Sequence, residues 1–313
     1  MITRRHIRSK VMQSIYAFNK QDKSAYEHEE KQLKESLDEY YDLYCLMLSL
    51  FSSLRSYAEA YYEKSKTKHF ATQEDKNPNL KFINNAILRR LDENEHLHKH
   101  LKKKKLNYWQ IDTSYVAQLW EKIKTSSTYI EYLNEEKQDF QEDKFIIIQI
   151  FKSIIAPDEK LIDYLGDKNL TWMDDYPWVN TAIVKNIESV RKKDKHFKIP
   201  SLFKNIDDQN FGRSLLIKTL ENHTEFTDDL RGNTPNWDLE RVTDIDAVLI
   251  KMALCEFSHF PSIPMKVSIN EYVEIAKEYS TSNSGTFVNG VLDKLSSTYK
   301  KEGKMFKEGR GLL

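Results

Sequence analysis

An all-α fold is predicted by three features of this 313-residue sequence. Apolar residues recur at helical spacing along almost the whole chain, and strand-like alternation is too sparse to build a sheet. Only 8 Gly and 7 Pro occur, too few for folds that need many tight turns or Gly-rich phosphate loops. A doubly wound nucleotide-binding sheet and an all-β sandwich are both disfavoured on that ground. The 17 Tyr and 15 Phe are more aromatic residues than a disordered chain carries, and the length allows two or three cooperating units.

The elements follow in order. Ile7, Val11, Ile15 and Phe18 form the apolar stripe of a first helix, with Thr3 as its N-cap. Arg5, Met12 and Tyr16 share another azimuth with Arg8 beside it, so the basic side chains are expected to stay clear of the core. Residues 28–66 form a long helix, because Leu33, Leu37, Tyr40, Tyr44, Met47, Phe51, Leu54, Ala58 and Tyr61 alternate by four and three. Leu43, Leu46, Leu48 and Leu50 widen this seam, which favours a bundle interior over a free zipper. A polar connection is expected over 64–78, then helices at about 79–100, 113–124 and 139–155. Pro157 ends the last of these and Asp158 caps the next turn. Val179, Ile183, Ile187 and Val190 mark a further helix, and residues 191–205 with Pro200 read as a linker. Helices at about 207–222, with an extension to Leu230 as the alternative, 243–258, 269–280 and 286–299 complete the chain. Ser268 and Glu271 have the spacing of a capping box, and Gly290 inside an apolar pattern suggests close backbone approach.

Catalytic and metal chemistry find no footing. His96, His98 and His100 place only two imidazoles on one helix face, beside four lysines and without a fixed acidic partner. The interleaved Glu93/His96 and Glu95/His98 pairs lack the second helix that a di-iron site needs. No Walker loop, G-x-S-x-G or G-x-G-x-x-G occurs. The two cysteines, Cys45 and Cys255, give neither a disulfide framework nor a zinc set, and Cys255 lies in an apolar stretch that reads as core. The most apolar run, 145–155, is too short to span a bilayer, and the basic N-terminus lacks the apolar region of a secretory signal. The expectation is a cytoplasmic protein that is not an enzyme, with no cofactor, no metal and no membrane partner.

Charge is unevenly distributed. The total is 48 basic against 48 acidic residues. Residues 1–20 hold five Lys/Arg and no acid, a local net of +5, whereas 206–299 hold eight against fifteen, a net of −7. Further basic clusters lie at 102–105, 191–198 and 300–310. A neutral total therefore leaves room for a polyanion partner, since the local field decides.

The most specific signals are ordered motifs near the two ends. The N-terminus reads RRHIR at 4–8 and QSIY at 13–16. The C-terminal third reads WDLERVTDID at 237–246, AVLIKMALCEF at 247–257, IPMKVSINE at 263–271, AK at 276–277 and FVNGVLDK at 287–294. Together these resemble the NusB family of bacterial transcription antitermination factors, over about 3–18 and 206–299. The resemblance implies a helical fold of two small bundles, and the residues without a counterpart in it are expected to form an additional helical region inserted after the first helix. It also implies binding of boxA-like single-stranded RNA together with the NusE-type ribosomal small-subunit protein, within the RNA polymerase antitermination complex on rRNA operons.

Carried over by position, the resemblance assigns Arg4, Arg5 and Arg8 to RNA through the family's basic N-terminal run. Asn283, Thr286 and Phe287 fall at the RNA-side loop and aromatic that open its last helix. Tyr16 and Glu256 match its protein-partner face. The family often has Arg where His6 stands and Lys where Thr286 stands, which lowers the charge expected here. Arginines neutralise phosphates and an exposed Phe stacks on a splayed base. The expected organisation is a NusB-like module from 1–20 plus 206–300, an additional helical region 21–205 with a divergent core helix expected within 139–190, and a flexible basic tail 301–313. The alternative is a helical interaction scaffold that keeps the fold and the ribosomal-protein partner without RNA readout. An rRNA cytosine methyltransferase, which such a module can precede, is not expected, because only a short tail follows it.

Overall fold

A computed structural model describes residues 1–20, 25–136, 139–233 and 242–312. Every regular element among them is helical. The chain divides into two units, Met1–Leu37 with Leu202–Leu313, and Asp38–Ser201. The first boundary thus falls within the long helix, beyond the 20/21 limit expected from the motifs, and the second falls in the linker close to the expected 205/206 limit.

Helix α1 (Arg4–Lys20) opens the first unit, and the amide of His6 donates to Thr3 Oγ1 as the N-cap reading requires. Helix α2 (Tyr26–Lys66) follows as the 41-residue element that the seam announces. Leu33 and Leu37 are buried in its first-unit portion, and Tyr40, Tyr44, Met47, Phe51, Leu54 and Ala58 in its second-unit portion. The widening leucines at 43, 46, 48 and 50 are fully buried as well, as a bundle interior demands.

The second unit continues with α3 (Gln73–Lys76), α4 (Ala86–Asp92), α5 (Glu95–Lys104), α6 (Tyr108–Ile111) and α7 (Thr113–Lys124). It closes with α8 (Ser127–Asn134), α9 (Phe140–Ile150), α10 (Glu159–Lys168) and α11 (Trp172–Ser189). The helix expected over 79–100 is two helices. Asn85 caps α4 by accepting from the amides of Ile87 and Leu88, and Asn94 caps α5 through the amide of Leu97. Asp158 caps α10 through the amide of Leu161, as its position before the apolar run suggests. Five residues after α9, Phe151–Ile155, form a π-helical turn that seats Phe151 on Phe51 at 5.7 Å. Core aromatics cluster around the buried Trp120, whose ring lies 5.6 Å from both Phe82 and Tyr129.

The first unit is completed by α12 (Ile206–Glu221), α13 (His223–Asn233), α14 (Asp244–His259), α15 (Met265–Tyr279) and α16 (Ser284–Lys301). The 237–241 portion of the motif that precedes α14 lies outside the described residues. Two pairings fix the direction of α14. Arg8 meets Glu256 while Lys20 meets Asp244, so α1 and α14 run antiparallel. Ser268 meets Glu256 while Thr243 meets Ser280, so α15 is antiparallel to α14 too. Helix α12 runs parallel to α1, with Asp208 on Arg4 and Gly212 beside Ile7. A Cβ at Gly212 would stand 2.8 Å from Ile7 Cγ2, so this crossing needs glycine. Gly290, by contrast, is exposed, so the close approach expected there does not occur.

Two further expectations are corrected. Helix α15 starts at Met265 behind Pro264, one turn before Ser268, so Ser268 and Glu271 lie inside the helix and make no capping box. The C-terminal segment expected to be flexible is tied back. Lys307 Nζ donates to the carbonyls of Glu256 and Phe260 at 2.8 and 3.1 Å, and the Glu308 amide donates to Pro261 O.

Candidate nucleic-acid interface

The first turns of α1 are far more buried than one apolar stripe requires. Every residue from His6 to Met12 is buried, including Arg8 and Lys10, because α12, α14 and α15 pack around the helix. The basic residues therefore do compete with the core, and the structure accommodates them by pairing.

Arg8 has a side chain only 3% exposed. Its Nε and Nη2 donate to the two oxygens of Glu256 at 2.6 and 3.1 Å. Glu256 also accepts from Tyr272 Oη at 2.8 Å and from Ser268 Oγ at 2.5 Å. Four donors fill the lone-pair directions of this fully buried carboxylate. Burial opposes the Arg8 charge, but the Glu256 carboxylate outweighs it and holds the guanidinium above its usual pKa. Tyr272 is pushed well up by burial and by the same carboxylate. Neither Arg8 nor Glu256 presents charge to solvent, so the surface roles assigned to them by position give way to a role inside the fold.

Arg5 forms a two-pronged pair with Glu271, through Nε at 3.0 Å and Nη2 at 2.8 Å, and this hydrogen bonding raises its pKa. Glu271 also lies 3.6 Å from Arg8, so one carboxylate links both arginines. Arg4 donates to Asp208 at 2.8 Å and sits 5.0 Å above the Phe211 ring. Both side chains keep about a third of their surface in solvent, 37% for Arg4 and 35% for Arg5. Lys20 pairs with Asp244 at the far end of α1, 5.5 Å above the half-exposed ring of Tyr16.

The remaining assigned residues lie at that far end. Asn283 and Thr286 are exposed and Phe287 is half-buried, at the turn into α16. Ser284 anchors the turn, its Oγ lying 2.8 Å from Asp246 and accepting from the Thr281 amide. Gly285 permits the tight passage, since a Cβ there would meet Lys277 Cγ at 2.7 Å. Along α15 the helical rise from Glu271 to Ser280 is about 14 Å. The assigned residues thus form two groups, Arg4 with Arg5 at one end and Asn283, Thr286 and Phe287 with Tyr16 at the other. Ser268 and Glu271, which help to orient the arginines, were hidden from pattern reading by their resemblance to a capping box, and Tyr272 by its place among the apolar residues of the same helix.

In the second unit, the histidines of α5 are held by protein groups. His100 Nε2 lies 2.7 Å from Asp42, His98 Nε2 2.7 Å from Asp92 O, and His96 3.2 Å from Tyr41 Oη. No helix among the described residues is long and apolar enough to cross a membrane.

The NusB family model matches residues 182–297, from within α11 to the last turns of α16. Similar proteins carry the name transcription antitermination protein NusB. The one from Salinibacter ruber is 40% identical over 105 residues, which is 34% of this chain and 66% of the relative. That of Chloroherpeton thalassium is 37% identical over 105 residues, 34% of this chain and 50% of the relative. That of Geobacillus kaustophilus is 38% identical over 91 residues, 29% of this chain and 70% of the relative. The chain thus spans just under two thirds of the first relative's length and half of the second's. No solved structure matches it. The matched segment contains the helices that bury Glu256 and carry the α15–α16 turn, and on these grounds the chain belongs to the NusB family.

Proposed function

We propose that this chain is a non-enzymatic, RNA-binding transcription antitermination factor that works in the cytoplasm. It binds boxA-like single-stranded RNA together with the NusE-type ribosomal protein and modifies RNA polymerase on rRNA operons. Family membership supports the antitermination role. The observation that carries the RNA reading is the pairing geometry at α1: Arg4 and Arg5 are oriented by Asp208 and Glu271 yet remain about one-third exposed. Preoriented guanidiniums with free donors suit phosphate contacts. The exposed Asn283 and Thr286 and the half-buried ring of Phe287 offer a second contact along the same strand. Tyr16 belongs to the partner side in this reading, and Glu256 acts through Arg8 by fixing α1 against α14 and α15.

Fluorescence anisotropy with a boxA-like RNA and a scrambled control, each with and without the ribosomal protein, tests the proposal. Preferential, salt-sensitive binding to the boxA-like strand is expected. Equal, salt-insensitive binding to both strands would sink the RNA claim. A second reading, a scaffold that keeps the ribosomal-protein partner but not RNA, is favoured by one observation. Arg4, Arg5, Arg8 and Lys20 each face a carboxylate. A pull-down that recovers the ribosomal protein and no RNA would decide for it.

A further inference from the structure

Helices α2, α5, α6 and α7 of the second unit enclose a cleft that their side chains do not fill. One lobe, of about 430 Å³, lies between residues 49–57 of α2 and a floor of Leu97, Leu101, Trp109 and Val116. A second, of about 490 Å³, reaches Lys102, Lys105 and Asn107 at the end of α5. His98, Leu101 and Gln110 line both, so the lobes adjoin. Each volume is within the roughly 300–1,000 Å³ of small-molecule sites.

The first lobe pairs its apolar floor with a wall of hydroxyls. Ser49, Ser52, Ser53 and Ser56 stand at i, i+3, i+4 and i+7, on one face of α2. Helical serines in this chain commonly bond back to a carbonyl about one turn earlier, as Ser9, Ser153 and Ser258 do. Ser49 likewise donates to Leu46 O, but Ser52 Oγ is buried without a partner among the described residues. The surrounding groups are held in place. Trp109 Nε1 donates to Leu46 O at 2.9 Å, and His98 Nε2 donates to Asp92 O at 2.7 Å where the lobes meet. The Asp92 carboxylate is taken up by Arg55 at 2.7 Å. The second lobe is basic. Lys102 and Lys105 line it and are exposed, whereas Lys104 pairs with Asp42 at 3.1 Å. Lys105 takes a left-handed conformation, with φ 57°, and its amide caps the carbonyls of Leu101 and Lys102. That cap offsets the negative end of α5 beside the lysines.

We propose that this cleft binds a nucleotide, with its phosphate at Lys102 and Lys105 and its nucleoside in the serine-lined lobe. An acyl chain would leave the hydroxyls unpaired, and a bare phosphate would leave the apolar floor uncovered. A nucleoside phosphate satisfies both. Its ring faces suit Leu97, Leu101 and Trp109, its ribose hydroxyls and base edges suit the serines and Gln110, and its phosphate suits the ammonium groups. The nucleotide comes either free from solution or, resting on the RNA reading above, as one residue of the bound strand.

Titration calorimetry of the full chain with AMP, GMP, CMP and UMP tests the site, with the matching nucleosides and sodium phosphate as controls. At least one nucleotide should bind saturably, and more tightly than its nucleoside or phosphate alone. Lys102→Gln/Lys105→Gln should weaken that binding about fivefold, since two exposed charge contacts are lost. Ser56→Leu, also at an exposed position, should occupy the space the nucleoside needs and abolish binding, while the Tm of the free protein stays unchanged. Absence of binding by all four nucleotides, or full binding in either variant, overturns the proposal. So does a nucleoside that binds as tightly as its nucleotide. Anisotropy with single-stranded RNA separates the sources. Displacement of the strand by the nucleotide makes the ligand a residue of the RNA, and an undisturbed strand makes it a free nucleotide. Protein that binds nucleotide but no RNA defeats the RNA reading and leaves the cleft standing.

Discussion

Glu256 is a buried carboxylate with all of its acceptor positions occupied, two of them by one arginine. Removing one partner of such a pair strands the other charge in the core. Arg8→Met should therefore destabilise the first unit by about 3–5 kcal/mol. In the double variant Arg8→Met/Glu256→Leu the stranded charge is gone. Only Ser268 and Tyr272 then lose an acceptor, and the cost should fall well below the sum of the single changes. Urea denaturation of the four proteins measures this, and strict additivity would argue that the pair does not act as a unit. The two thiols are a separate check on burial. Both Cys45 and Cys255 are fully buried, and burial pushes each up to about 12. Native protein should not react with a thiol reagent at pH 8, whereas the unfolded chain should react at both sites. The sign for stability follows. As pH rises from about 9 toward 12 the unfolded chain releases thiol protons that the folded chain retains, so stability falls over that window.

At the scale of elements, what the sequence revealed depended on where each signal originates. The seam of α2 is a property of the element itself, repeated over many turns, and was readable along its length. The break between α4 and α5 has a tertiary origin. Asn85 caps α4 while its own amide donates to Asp143 O, 58 positions away, and such a lock leaves no local period. Helix α13 is separated from α12 by a local stop instead, Asn222, whose side chain bonds back to Lys218 O. Arg8 and Glu256 were both legible by position, but their mutual contact was not, because their 248-residue separation is bridged only in the fold. The C-terminal segment is the clearest case of an element made by tertiary contact. Lys307 caps carbonyls at the end of α14, and burial lowers its pKa to about 8. Between pH 8 and about 10.5 the unfolded chain then holds more protons than the folded one, so Lys307 makes stability rise with pH across that window. Against a Lys307→Met variant, the wild type should gain about 1–2 kcal/mol from pH 7.5 to pH 10, after allowing for solvent screening of a half-buried group. Chemical denaturation at both pH values measures the difference, and a constant gap between the proteins would show that the tail is not docked through this lysine.

For the whole molecule, zero net charge acquires a spatial meaning. The +5 of residues 1–20 and the −7 of residues 206–299 are brought together by the first unit. Asp208, Glu271, Glu256 and Asp244 of the acidic region take up Arg4, Arg5, Arg8 and Lys20 respectively. The charges cancel in space as well as in the sum, so long-range attraction for a polyanion is weak and binding must rely on a few short contacts. In the proposed reading Arg4 and Arg5 would make about two phosphate contacts. At about −0.7 per contact on a single strand, log K should then fall with log salt at a slope near −1.4. The second unit carries its own basic surface in the exposed Lys102 and Lys103 of α5. If the RNA surface is confined to the first unit, Lys102→Gln/Lys103→Gln will leave both affinity and slope unchanged. A wild-type slope steeper than about −3, flattened by about 1.4 in that double variant, would instead recruit the helices of the second unit to RNA binding. The same titration thus measures the charge that α1 leaves free and assigns the second unit either to RNA binding or to another role.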